Sequence, residues 1–210
     1  MYLTRLILTL EDFRRENITD DYSIHRVVYS LFKKEEQNRI LYFDRGGKGN
    51  AHVMLILSPV RPALDTLFQL ETKEIPADFW RNRHFHFEIV LNPVRTQSVL
   101  DTKLNKMVKK RIPIRNKDRK IEREMLYDWF REQAEKHGFM PWWDNLEFQV
   151  LHSQCVPKGG VIGDVRYHRV KFTGTLTVTD EKLFRETFEN GLGKGKAFGC
   201  GMFLLMPALG

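Results

Sequence analysis

The stretch Gly191-Leu-Gly-Lys-Gly-Lys-Ala-Phe-Gly-Cys-Gly201 separates a helix-forming segment, Asp180 to Asn190, from the apolar Met202-Phe-Leu-Leu-Met206. It reads as a helix-to-strand turn, and the order of elements that it closes decides the fold. Alternating glycine and lysine lets a backbone approach a polyanion while Lys194 and Lys196 reach its phosphates. No Lys-Ser/Thr pair completes a P-loop here. A dinucleotide fingerprint is excluded too, because that motif opens a helix after a strand. Two readings stand. Glycines adopting positive φ in a tight turn account for part of the run, and the two lysines left over point to nucleic acid.

Working back from this turn, the second half reads strand, basic segment, helix, strand, strand, helix, turn, strand. Arg83 to Leu91 alternates as a strand and stops at Asn92-Pro93. Ile121 to His137 is an amphipathic helix ended by Gly138. Glu147 to Val156 and Arg166 to Val178 are strands around the turn-rich Pro157-Lys-Gly-Gly160. The first half has the same order. Tyr2 to Leu10 is strand-like, and Thr19, Asp20 and Asp21 offer helix N-caps before an apolar-periodic run to Lys34. Arg39 to Arg45 and His52 to Ser58 are strands, Ala63 to Phe68 a short helix, and Gln69 to Ile75 an edge strand. Two successive βαββαβ sets predict an α+β fold, tandem ferredoxin-like. The expected domains are 1–80 and 83–210.

The chain has 210 residues, 42% of them hydrophobic, and a formal net charge of +7. That is enough for two small cores, and the charge favours an acidic partner. No apolar run approaches the roughly 20 residues of a membrane span. The amino terminus carries an arginine within a strand pattern, which predicts no signal peptide. Two cysteines, Cys155 and Cys200, imply no disulfide framework, so a cytoplasmic protein is expected; it is further expected to be monomeric when alone. His84 and His86 alternate along a strand without a metal-ligand pattern, and no acidic cluster suggests a two-metal centre. The expected chemistry uses no metal and no cofactor.

The first helix carries the candidate chemistry. At about 100° per residue, Val27, Val28 and Leu31 fall within about 60° of Ile24, while His25, Tyr29 and Tyr22 fall about 100° to 160° away. Tyr22, His25 and Tyr29 thus form a polar-aromatic flank beside the core stripe, in the first turns of a helix, where the dipole favours an anion. An imidazole held neutral there meets the requirement for a base that removes a ribose 2′-hydroxyl proton. The plainer reading is a flank histidine bonded to a local group. The segment from Lys103 to Arg123 holds ten Lys/Arg against two acids, interrupted by Met107, Val108, Ile112, Pro113 and Ile114. A solvated face and a docked track for RNA phosphates both fit it. Trp142 and Trp143 either stack on a base or pack against the preceding helix.

The opening Met1-Tyr-Leu-Thr-Arg-Leu, the helix start Asp21-Tyr-Ser-Ile-His-Arg26, Phe87-Glu-Ile-Val-Leu-Asn-Pro93 and the Gly191 to Gly201 loop occur in order across the chain. In this it resembles the CasE family of CRISPR-associated endoribonucleases, the RNA-processing subunit of type I-E systems. The resemblance implies two ferredoxin-like domains and a metal-independent cut at the base of the CRISPR repeat RNA hairpin, leaving a 5′-hydroxyl and a cyclic phosphate. It further implies that the hairpin product stays bound and that the protein joins other subunits of a surveillance complex. His25 matches the family's catalytic histidine, and Tyr22 a tyrosine that assists it. Lys158 stands where a lysine approaches the scissile phosphate. Arg26 and Lys33 match RNA-contacting positions, and Lys103, Lys106, Lys109, Lys110, Arg111, Arg115, Lys194 and Lys196 are the further RNA-binding candidates. The acid that protonates the leaving oxygen stays open: His25 shuttles the proton, or a cation stabilises the leaving group. The rival reading is a non-catalytic RNA-binding subunit, against which the Tyr22 and His25 pair argues.

Overall fold

A computed structural model describes residues 1–36, 39–63, 67–101, 105–116, 118, 121–151, 154–157 and 164–208, with the side chains of 36, 48, 101, 154–157 and 164–167 outside that description. In the first half, strand β1 (Tyr2–Thr9) leads into helices α1 (Leu10–Arg15) and α2 (Asp21–Ser30). Strands β2 (Leu41–Lys48), β3 (Ala51–Ser58) and β4 (Gln69–Glu74) follow. The sheet order is β2-β3-β1-β4, every pairing antiparallel. This is the ferredoxin-like arrangement, in which the strand after the first helix lies at the far edge. The short α1 was not expected; Thr9 and Asp12 cap it reciprocally, Thr9 N donating to Asp12 Oδ2 at 2.7 Å, and so end β1. The helix expected at 63–68 falls largely outside the described residues.

The second half contains β5 (His84–Leu91), β6 (Val94–Asp101), β7 (Lys106–Pro113), α3 (Arg123–Lys136), β8 (Phe139–Pro141) and β9 (Glu147–Val150). It continues with β10 (Gln154–Pro157), β11 (Asp164–Tyr167), β12 (Val170–Val178), α4 (Glu181–Asn190) and β13 (Phe203–Pro207). Its sheet runs β13-β5-β12-β8, and β9 also pairs with β12. The strand order of the first sheet therefore recurs, here with the full βαββαβ plan and two ribbons, β6–β7 and β10–β11, inserted. The expected single strand from 147 to 156 is two: β9 stays on β12 up to Val150, and β10 leaves to pair with β11. Likewise the strand expected from 166 divides between β11 and β12. The core of the basic segment, Lys106 to Pro113, is a strand zipped antiparallel onto β6. Strand β5 stops before Asn92-Pro93 as expected, and the Pro93 carbonyl accepts from Ile114 N at 3.0 Å and closes the ribbon's root.

Helix spacing explains how each face is buried. On α2, Ile24, Val27 and Val28 join Leu6, Leu8, Met54 and Ile56 in one cluster. On α3, Leu126, Trp129, Phe130 and Ala134 are buried, with Phe130 stacked on Phe172 at 4.5 Å between ring centroids. Strand β2 serves both cores by its period of two. Tyr42 points into the α2 cluster, whereas Leu41 and Phe43 join the core of the second half. Among the described residues, no helix is long and apolar enough to cross a membrane.

Candidate active site and nucleic-acid interface

Helix α2 begins at a reciprocal cap. Asp20 Oδ1 accepts from Ser23 N at 2.8 Å, and Ser23 Oγ accepts from Asp20 N at 3.0 Å. Ser23 and the apolar stripe are buried, which fixes the helix's rotation and leaves the expected flank facing outward. His25 lies between two tyrosines there, its ring centroid 4.1 Å from Tyr29 and 6.3 Å from Tyr22. Tyr22 is 58% exposed, and His25 and Tyr29 are half-buried. Burial holds the His25 pKa below its ordinary value, so the ring is neutral at physiological pH. The sequence reading assigned that neutrality to the helix field; desolvation is the cause. Burial pushes the Tyr29 phenol up and keeps it protonated. His25 Nδ1 is buried without a hydrogen-bond partner, which leaves Nε2 as the nitrogen that can meet a substrate.

The glycine-lysine turn, distant in sequence, packs alongside α2 through its 3-10 turn Lys196–Phe198. Tyr42 Oη donates to the Ala197 carbonyl at 2.8 Å and ties the turn to the first half. The left-handed glycines serve close backbone approach. A Cβ on Gly201 would stand 2.5 Å from the Leu192 carbonyl oxygen, and one on Gly191 would stand 2.8 Å from Leu41 Cδ2. Lys194 is exposed. Lys196 is partly buried, and desolvation, then the nearby Lys194, lower its pKa.

The remaining candidates divide. Lys158 and Lys103 lie outside the described residues. Arg26 Nη2 donates to the Glu16 carbonyl at 2.9 Å, and Lys33 is exposed. Lys106, Lys109, Lys110 and Arg111 are exposed along β7, and Arg115 just beyond it. Strand alternation places Lys109 and Arg111 on one face of the ribbon and Lys106 and Lys110 on the other. A groove of about 340 Å³, lined by Val94, Arg95, Lys136, Gly193 and Lys194 among others, brings the glycine turn and the ribbon root together. His84 and His86 pair across strands with Thr177 and Thr175 through Nδ1 at 3.0 and 3.1 Å. Trp143 packs on Tyr127 of α3, centroids 6.0 Å apart, and Trp142 Nε1 donates to Thr177 Oγ1 at 2.8 Å. Sequence reasoning missed Tyr42 and the Asp21–Arg169 ion pair (Oδ2 to Nη1, 3.7 Å) beneath the flank. No sequence signal pointed to the latter, because its two residues lie in different halves of the chain.

Two antiparallel βαββαβ units bearing a histidine-tyrosine flank and a lysine-bearing glycine turn make this a tandem ferredoxin-like protein. The sequence matches the family described as CRISPR associated protein over residues 1–207. The chain belongs to that family. It is 25% identical over 217 residues to the CRISPR system Cascade subunit CasE of Escherichia coli (strain K12), covering 99% of this chain and 100% of the relative. The crystal structure of Cas6e from E. coli K-12 superposes with a TM-score of 0.73 at 20% identity, over 99% of this chain and 100% of the other. Thermus thermophilus Cse3, solved bound to an RNA representing a pre-cleavage complex, gives a TM-score of 0.69 at 20% identity over 98% of each chain.

Proposed function

We propose that this protein is a CRISPR repeat RNA endoribonuclease that cuts without a metal, acts in the cytoplasm, and keeps its hairpin product as a subunit of a surveillance complex. The observation that carries the proposal is a half-buried, neutral His25 set between two tyrosines at the start of α2. His25 Nε2 takes the 2′-hydroxyl proton, O2′ attacks the adjacent phosphorus, and the P–O5′ bond breaks. The products are a 2′,3′-cyclic phosphate and a 5′-hydroxyl. The proton on O5′ comes from the imidazolium just formed, or a cation carries the leaving group's charge. Lys158 is assigned to the scissile phosphate and Tyr22 to the same pocket. In-line geometry, a base and charge stabilisation suffice for this step, so no metal is required.

The first half, 1–80, supplies the cutting helix, and the second, 83–210, supplies the grip. The groove runs from Lys194 of the glycine turn to Arg95 and Thr96 at the ribbon root. This suits an RNA stem read through its phosphates and shape. The test is His25→Ala assayed on the cognate repeat hairpin. Cleavage is expected to disappear while hairpin affinity stays within about twofold. Retained cleavage, or binding lost together with cleavage, would refute the role.

A further inference from the structure

Among the described residues, four buried side-chain nitrogen or oxygen atoms make no hydrogen bond: two of them, Asp21 Oδ2 and Arg169 Nε, belong to one ion pair, and a third, His25 Nδ1, belongs to the residue one helical turn beyond Asp21 on α2. The fourth, His52 Nε2, lies 2.7 Å from Asp44 Oδ1 and so has an ionic partner. Arg169 Nη1 is 3.7 Å from Asp21 Oδ2, beyond hydrogen-bond length. Buried polar atoms left in this state cost free energy, and a cluster of them at a site signals a built arrangement. Asp21 and His25 stand four residues apart on α2 and share one flank. Helical side chains lean toward the helix N-terminus, which lays the His25 ring over the turn that carries Asp21. Of the three atoms, Asp21 Oδ2 is the acceptor.

Building on the nuclease reading above, we propose that Asp21 is a positioning residue for His25, with Oδ2 accepting from Nδ1–H through one bridging water. This contact fixes the tautomer with a bare Nε2 toward the RNA and steadies the imidazolium once the 2′-hydroxyl proton arrives. Arg169 is the counter-charge. Burial works to neutralise Asp21, and the guanidinium opposes it. The other titratable groups around the pair are Asp20, Tyr22 and Tyr29 of α2, Tyr42 and Asp44 of β2, and Lys196 and Cys200 of the glycine turn. None of them is an unpartnered buried acceptor.

The experiment compares wild type, Asp21→Asn and Asp21→Glu. The imidazole of His25 is titrated by NMR in the RNA-free protein. Cleavage of the repeat hairpin and affinity for its 2′-deoxy form are then measured. In Asp21→Asn the NMR midpoint of His25 is expected to move down by about 0.5 or more and its Nδ1–H tautomer to lose dominance. Single-turnover cleavage should slow about 10- to 100-fold, as when an outer partner orienting a histidine is removed, with hairpin affinity unchanged. Asp21→Glu restores most of the rate, and it carries the test if the asparagine variant does not fold. An unmoved midpoint and tautomer, or a rate loss matched by lost affinity, overturns the proposal. Failure of the wild type to cut the hairpin would refute the nuclease reading instead, while the NMR comparison would still judge the Asp21 contact.

Discussion

His25 owes its competence as a base to desolvation. Burial lowers its proton affinity, so the neutral, basic form persists to lower pH than in a free histidine. The rise of kcat/KM with pH should therefore have a midpoint below the ordinary 6.5, because that parameter reports the free enzyme's base. A midpoint at or above 6.5, measured on the repeat hairpin at fixed ionic strength, would show another group acting. Stability follows the same sign. The folded state resists protonating His25, so acidification through the unfolded value near 6.5 costs stability. The flank itself was legible in the sequence, since helical angles set Tyr22, His25 and Tyr29 apart from the core stripe. Arg169 was not, because only the closing of the second sheet beside α2 brings it to Asp21.

Among the elements, the β6–β7 ribbon departs most from the sequence reading. Three lysines and an arginine among the eight residues of β7 mask the period of two, and a ribbon exposed on both faces needs no apolar alternation. Its faces nonetheless differ. Arg95 lies opposite Ile112 in the register and pairs with Glu132 of α3 at 2.8 Å, so that face turns to the body at its root. Lys109 and Arg111 belong to the other face. Replacing both by alanine should weaken hairpin binding and flatten its salt dependence by about 1 per lost phosphate contact, with a smaller effect from Lys106→Ala plus Lys110→Ala. Equal slopes for the two pairs would mean that both faces, or neither, meet RNA. The β2–β3 hairpin holds the Asp44–His52 pair, 2.7 Å apart. The contact with Asp44 raises the His52 pKa, so its stabilisation is present below about 6.5 and fades as pH rises past the folded value. His52→Gln should cost about 1 kcal/mol near pH 6 and less near pH 9, measured by urea unfolding. A loss that grows with pH would reverse the assignment.

At the scale of the molecule, the two ferredoxin-like units are joined through β2 and the glycine turn. The tandem plan was readable because both halves show the same order of apolar strands and capped helices. The joint between them was not, because Leu41 and Tyr42 look alike in sequence, and only register sends them to different cores. Tyr42→Phe removes the bond to Ala197 and leaves its carbonyl without that partner in a part-buried setting. Unfolding free energy should fall by about 1 to 3 kcal/mol, and cleavage should slow as the turn loosens from α2. Unchanged stability would show the joint to be incidental. The cut itself is tested most directly by incubating the purified protein in EDTA with the repeat hairpin and, separately, with the same hairpin carrying one 2′-deoxy nucleotide at the cleavage position. The all-ribose RNA should be cut to a cyclic phosphate and a 5′-hydroxyl, and the deoxy RNA should stay whole while still bound. Cleavage of the deoxy RNA, or none of the ribose RNA in EDTA, would contradict attack by the 2′-hydroxyl with His25 as its base.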